Sequence, residues 1–115
     1  MSKISLSAKL DFIILMCDNI EKITKRHKGI VKALEDFEGQ MATLMAISQI
    51  GETLKKLPIE IIQKYKLQND LDGAYYTRNY IVHDYEGVDL ALIENMVRVH
   101  IPNLKIIIED IKNNE

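Results

Sequence analysis

The chain is poor in residues that build special local structure. It has one cysteine, two prolines, five glycines and no tryptophan in 115 residues. The lone Cys17 excludes an internal disulfide and a cysteine-based zinc site. It closes the apolar run from Phe12 to Cys17 and reads as a small core residue. No stretch approaches the ~20 apolar residues of a membrane span. The run ending at Cys17 is short and is followed by Asp18, Glu21 and Lys22, which does not resemble a secretory signal. A cytoplasmic protein that does not enter the membrane is expected. An excess of charge is also missing. Fifteen basic residues face seventeen acidic ones, the net charge is −2 and the pI about 5.9. That balance argues against wholesale wrapping of nucleic acid, which needs a basic face. It leaves room for a small phosphate-handling site with a few local cations.

What is present favours helix. Hydrophobic residues make up 47% and charged residues 28%, the profile of a soluble globular chain. The length suits one domain with one core, so residues 1–115 are expected to form a single unit. No repeat, low-complexity tract or linker interrupts it. Apolar residues recur at three- and four-residue steps almost throughout, without sustained period-two alternation.

The first helix is predicted from about Ser7 to His27, with Leu10, Ile13, Ile14, Cys17, Ile20 and Ile23 as its buried stripe. Gly29 should stop it, behind the basic cluster 25–28 that suits a helix C-terminus. Residues 30–38 could add a short turn. A second long helix is predicted over 39–57, with Met41, Leu44, Met45, Ile47, Ser48, Leu54 and Leu57 inward and Pro58 at its end. A short helix over 59–65 would turn Ile59, Ile61 and Ile62 inward. Asn69 or Asp70 should cap the next helix, over roughly 71–85, and Gly87 suits a left-handed C-terminal cap. Asp89 should cap the last helix, with Val88 and Ile93 as a hydrophobic staple. Leu90, Ile93, Val97, Leu104, Ile107, Ile108 and Ile111 continue its stripe, and Pro102 should kink or divide it. The expected fold is all-α, a mainly antiparallel bundle of four to five helices.

Chemistry concentrates in one segment, Arg78-Asn79-Tyr80-Ile81-Val82-His83-Asp84-Tyr85. On a continuous helix, Asn79 and His83 share one face and Arg78 and Tyr85 lie nearly above one another on the next. RNA carries its own nucleophile, the 2′-hydroxyl. Cleavage then needs a base for that proton, an acid for the leaving 5′-oxygen and a cation for the crowded phosphate. Histidine is the side chain suited to proton transfer at physiological pH, so His83 can be base or acid. Arg78 stays charged and can hold two phosphate oxygens. Asn79 can orient the imidazole or bond the phosphate. One histidine does not easily serve both ends of one bond, so the chemistry favours two copies across a two-fold axis. A lone arginine or histidine on a helix is ordinarily a surface or packing residue, and Tyr85 alone could simply pack. No metal-ligand cluster appears, because His27, His83 and His100 are scattered.

The segment from Arg78 to Asp89 resembles the signature of the HepT-like toxins of the HEPN superfamily. The likeness extends upstream to Ala46-Ile47-Ser48-Gln49-Ile50-Gly51-Glu52-Thr53-Leu54-Lys55-Lys56-Leu57, similar to a family signature around Ile-Gly-Glu. It extends downstream to Ile101-Pro102-Asn103-Leu104, similar to a Leu-Pro-x-Leu kink, and so covers about residues 40–111. The resemblance implies a HEPN-like helical homodimer acting as a metal-independent ribonuclease in a type VII toxin–antitoxin system, with tRNA the expected substrate. It implies catalytic roles for Arg78 and His83 and a supporting one for Asn79. It implies a minimal nucleotidyltransferase (MNT) antitoxin that transfers AMP to Tyr85, with ATP and magnesium needed on the antitoxin and no cofactor on this chain. An added phosphate beside Arg78 and His83 would compete for the cation.

The chain departs from the family pattern at Asp70-Leu71-Asp72-Gly73-Ala74-Tyr75-Tyr76-Thr77, where an aromatic and a small residue are common at other places. Tyr75 and Tyr76 are expected to pack rather than stack on bases. Glu86 replaces an aromatic. Glu52 could pair with Arg78 or with a partner subunit, or lie exposed. A non-enzymatic alternative is a helical partner that presents nucleotides or substrate to a nucleotidyltransferase.

Overall fold

A computed structural model describes residues 5–115. Helix α1 runs Leu6–Arg26, α2 Ile30–Glu35, α3 Phe37–Lys55, α4 Ile59–Lys64, α5 Gln68–His83, α6 Leu90–Asn95 and α7 Ile101–Asn114. A π-helical turn, Met96–His100, joins α6 to α7, and no strand occurs among the described residues. The all-α bundle is as expected, with α2 and α4 as short additions to the long helices.

Side-chain caps open three helices. Ser5 Oγ accepts from Ala8 N at 3.1 Å, Asp36 Oδ2 from Gly39 N at 2.8 Å and Asp89 Oδ1 from Ala91 N at 3.0 Å. Asn69 and Asp70 lie inside α5, which opens at Leu67 without a side-chain cap. The exit from α1 is shifted by one residue from Gly29. Lys28 takes the left-handed conformation (φ 64°), the Gly29 N–H bonds Thr24 O and the Lys28 N–H bonds Lys25 O. This is a Schellman turn with a lysine where glycine is usual. Gly87 is not left-handed; Gly29 is the one glycine at positive φ among the described residues.

Pro102 divides the last helix as expected, through the π turn just before it. The Ile101 N–H reaches back to Met96 O, a five-residue bond. That wider turn accommodates a proline that supplies no donor and crowds the preceding turn.

Leu10, Ile13, Cys17 and Ile20 of α1 form the core with Leu44, Ile47, Ile50 and Leu54 of α3 and Leu104, Ile108 and Ile111 of α7. Each such side chain contributes about 1.5–3 kcal/mol by leaving water. Burial pushes the Cys17 thiol up to about 12, aided by the neighbouring Asp18 carboxylate, so it stays a protonated core group. Lys105 pairs with Asp18 at 2.6 Å, and Lys112 with Asp11, so α7 runs antiparallel to α1. Lys9 Nζ donates to Lys56 O, which places the start of α1 beside the end of α3.

Several residues predicted inward are outside. Met41 is 45% exposed and Met45 60%, and Ile59 and Leu90 are exposed as well. With Phe37, at 74%, the two methionines form a ridge at four-residue steps along α3. The helical period marked these side chains as apolar. It could not show that no neighbouring helix covers that part of α3.

Candidate active site

Helix α5 meets α3 across small residues. A Cβ on Gly51 would lie 2.7 Å from Ala74 O and 2.9 Å from Arg78 Cβ. Side chains do not tolerate such contacts, so glycine sets how closely the two backbones approach. Nearby hydroxyls are satisfied within their own helices: Ser48 Oγ donates to Leu44 O at 2.9 Å and Thr77 Oγ1 to Gly73 O at 2.8 Å. They place no unpaired donor in the seam.

This approach delivers Arg78 to Glu52, the residue after Gly51. The guanidinium Nη2 and the Glu52 carboxylate form an ion pair. Arg78 Nη1 donates to Asn79 Oδ1 at 2.8 Å, and its Cζ lies 5.6 Å from the centre of the Tyr75 ring. Lys55 Nζ sits over the same ring at 5.2 Å. The Arg78 and Glu52 side chains are 25% and 30% exposed, so water screens their attraction, and the pair orients more than it stabilises. The alternatives for Glu52 thus resolve to Arg78 within one chain. Asn79 bonds the arginine rather than the imidazole. Tyr75 packs against two cations, whereas Tyr76 is 70% exposed.

Beside the seam lies an open groove of about 540 Å³, lined by Met41, Met45, Ser48, Glu52, Lys56, Arg78, Val82 and Tyr85 among others. His83 is the last residue of α5 and is exposed, with no side-chain hydrogen bond or ion pair among the described residues. It lies five positions after Arg78, a rotation of about 140° around the helix axis, and Asn79 lies between them in azimuth. One copy therefore presents Arg78 at the groove and His83 toward the outer face.

The helix ends two residues before Tyr85, so Tyr85 is not stacked over Arg78 on a continuous helix. The following loop brings it to the same groove instead. Tyr80 organises that loop, a role the sequence reading missed. Its hydroxyl donates to Gly87 O at 2.9 Å and accepts from Asp89 N at 2.9 Å. It thereby ties α5 to the cap of α6. The Asp84 carboxylate occupies the space a Gly87 side chain would need, with Oδ2 2.5 Å from an ideal Cβ. No local pattern reveals the Tyr80 bonds, because both partners depend on the path of the loop. Among the described residues, no cluster of His, Cys, Asp or Glu is placed to hold a metal ion.

The helical bundle, with Arg78, Asn79 and His83 on one helix and Gly51-Glu52 beneath it, is consistent with a HEPN-like all-α fold. The family model described as Ribonuclease HepT-like matches residues 13–111, and the chain belongs to that family. Among its relatives is a Methanocaldococcus jannaschii protein named "Putative RNase MJ0127", 35% identical over 83 residues, which cover 71% of this chain and 68% of that protein. Another, from the same organism, is named "Gamma-glutamylcyclotransferase and putative RNase MJ0434". It is 33% identical over 102 residues, 84% of this chain and 42% of that longer protein. No solved structure gives a significant match.

Proposed function

We propose that the protein is a ribonuclease toxin of a type VII toxin–antitoxin system, with tRNA as its expected substrate. The observation that carries the reading is the oriented Arg78 at an open groove with an exposed His83 on the same helix, in a HepT-like ribonuclease chain. The 2′-oxygen attacks phosphorus, a base takes its proton and an acid protonates the departing 5′-oxygen. The products are a 2′,3′-cyclic phosphate and a 5′-hydroxyl. Arg78 stabilises charge on the phosphate, Asn79 steers the guanidinium, and His83 moves protons. No metal takes part in this scheme.

The site is completed across a homodimer. Arg78 and His83 diverge around α5, and one imidazole cannot reach both ends of the bond. Phe37, Met41 and Val82 provide an exposed apolar surface beside the site for the second copy. Tyr85, 43% exposed on the same groove, is the residue that an MNT-type antitoxin would modify. Its hydroxyl oxygen attacks the α-phosphorus of ATP and pyrophosphate leaves. The attached AMP would place a phosphate beside Arg78 and block RNA.

Cleavage of total cellular RNA in EDTA, beside Arg78→Ala and His83→Ala, tests the chemistry. Wild type should cleave and both variants should not. Equal cleavage by all three, or a requirement for metal, overturns the mechanism. Intact mass after incubation with the antitoxin and ATP should show one AMP, absent from Tyr85→Phe.

A further inference from the structure

On the other flank of the α3 ridge lies a second groove, of about 430 Å³, between α1 and α3. Asn19, Lys22 and Arg26, with the apolar Met16 and Ile23, form its α1 wall, and Ala42, Met45 and Ala46 its α3 wall. Met45 also lines the Arg78 groove, so the two are neighbours across one exposed side chain. Lys22 and Arg26 are exposed and have no acidic partner among the described residues, unlike Lys25, which pairs with Glu21 at 2.8 Å. They also lie in the most basic stretch of the chain. Five of its fifteen lysines and arginines fall between Lys22 and Lys32, and no acid occurs from Lys22 through Leu34.

We propose that this α1–α3 groove binds the phosphate backbone of the RNA substrate, with Lys22 and Arg26 as its cations and the Asn19 amide as an added donor. The assignment rests on the ribonuclease reading. An RNA strand whose scissile phosphate sits at Arg78 must continue past it, and this is the adjoining groove with uncompensated positive charge. Lys22 and Arg26 are four residues apart, about 6 Å along the helix axis, and lie on one face. Two long cationic side chains at that spacing can each engage a phosphate, and an asparagine amide commonly joins such contacts. The apolar α3 wall, two alanines and Met45, lets the backbone approach without base-specific contacts. This groove therefore contributes affinity and salt dependence rather than sequence choice.

The test measures binding of a fluorescent single-stranded RNA to the full chain, on a His83→Ala background that prevents turnover, from 50 to 200 mM salt. Lys22→Gln/Arg26→Gln is compared with Lys66→Gln/Lys112→Gln, a charge-matched pair that lines neither groove. Two lost single-strand phosphate contacts should reduce the magnitude of the log–log salt slope by about 1.4 and weaken binding about 25-fold at 0.1 M salt. The control pair should leave the slope as it was. Equal slopes for the groove variant and its parent overturn the subsite and leave the groove to an acidic protein partner. Equal losses in both double variants also overturn it, because bulk charge would then explain the effect. Wild-type cleavage of RNA is scored separately. No cleavage defeats the ribonuclease reading, whereas cleavage with an unchanged salt slope in the groove variant defeats the subsite alone.

Discussion

Helices α7 and α5 are of similar length and are held in opposite ways. Of its 14 residues, α7 buries Ile101, Leu104, Ile108 and Ile111, and it carries ion pairs to α1 at its edge. Of its 16 residues, α5 buries only Thr77 and Ile81. It is held to α3 by a close backbone approach at Gly51, by the Arg78–Glu52 pair and by a tyrosine between two cations. The lesson concerns division of labour. Apolar area makes α7 scaffold, while sparse burial leaves most side chains of α5 free for solvent and chemistry.

The sharpest break in that comparison is chemical. His83→Ala should reduce RNA cleavage by about 10²–10⁴-fold, with the melting temperature unchanged because the ring is exposed. Ile108→Ala should do the reverse. Loss of its buried side chain should cost about 2–5 kcal/mol in urea titration. Tyr76→Ala on exposed α5 should cost less than about 0.5 kcal/mol.

Gly51→Ala probes the seam itself. Its methyl group would meet backbone at Ala74 O, so overpacking should cost about 1–3 kcal/mol. Hydrogen exchange should quicken in α5 before α7, and equal acceleration of both helices would contradict separate attachment. Tyr80→Phe removes two hydrogen bonds, each with a net worth of about 0.5–1.5 kcal/mol. Faster exchange should then appear around residues 84–89 and leave α7 unchanged.

The smallest expected effect lies away from both helices, at the cap of α3. The Gly39 N–H holds the Asp36 carboxyl below its ordinary range, with the nearby His27 adding to this. A depressed folded pKa stabilises above the unfolded value, and the contribution is lost as pH falls through the folded one. The melting temperature should therefore drop more steeply in acid for wild type than for Asp36→Asn. Parallel curves would remove Asp36 from the acid response.

Much of this was legible in one dimension. Helical spacing marked Leu10, Ile13, Cys17 and Ile20, the Asp89 cap announced the last helix, and Pro102 announced its division. Gly51-Glu52 was visible as part of a family signature, with pairing to Arg78 as one of three readings open for Glu52 and no role assigned to Gly51. Met41 and Met45 were misplaced because a hydrophobic period shows which side chains share a face, not whether another helix covers it.

Local stereochemistry and residue order determined the helices, most of their ends and the Arg78–His83 spacing, because hydrogen bonds within a helix reach only four or five residues. Tertiary structure decided that Glu52 and Tyr75 hold the guanidinium, that Tyr80 pins the loop bearing Tyr85, and that two grooves share Met45. Those arrangements join residues brought together by helix packing and chain reversal, and distance along the chain says nothing about contact there.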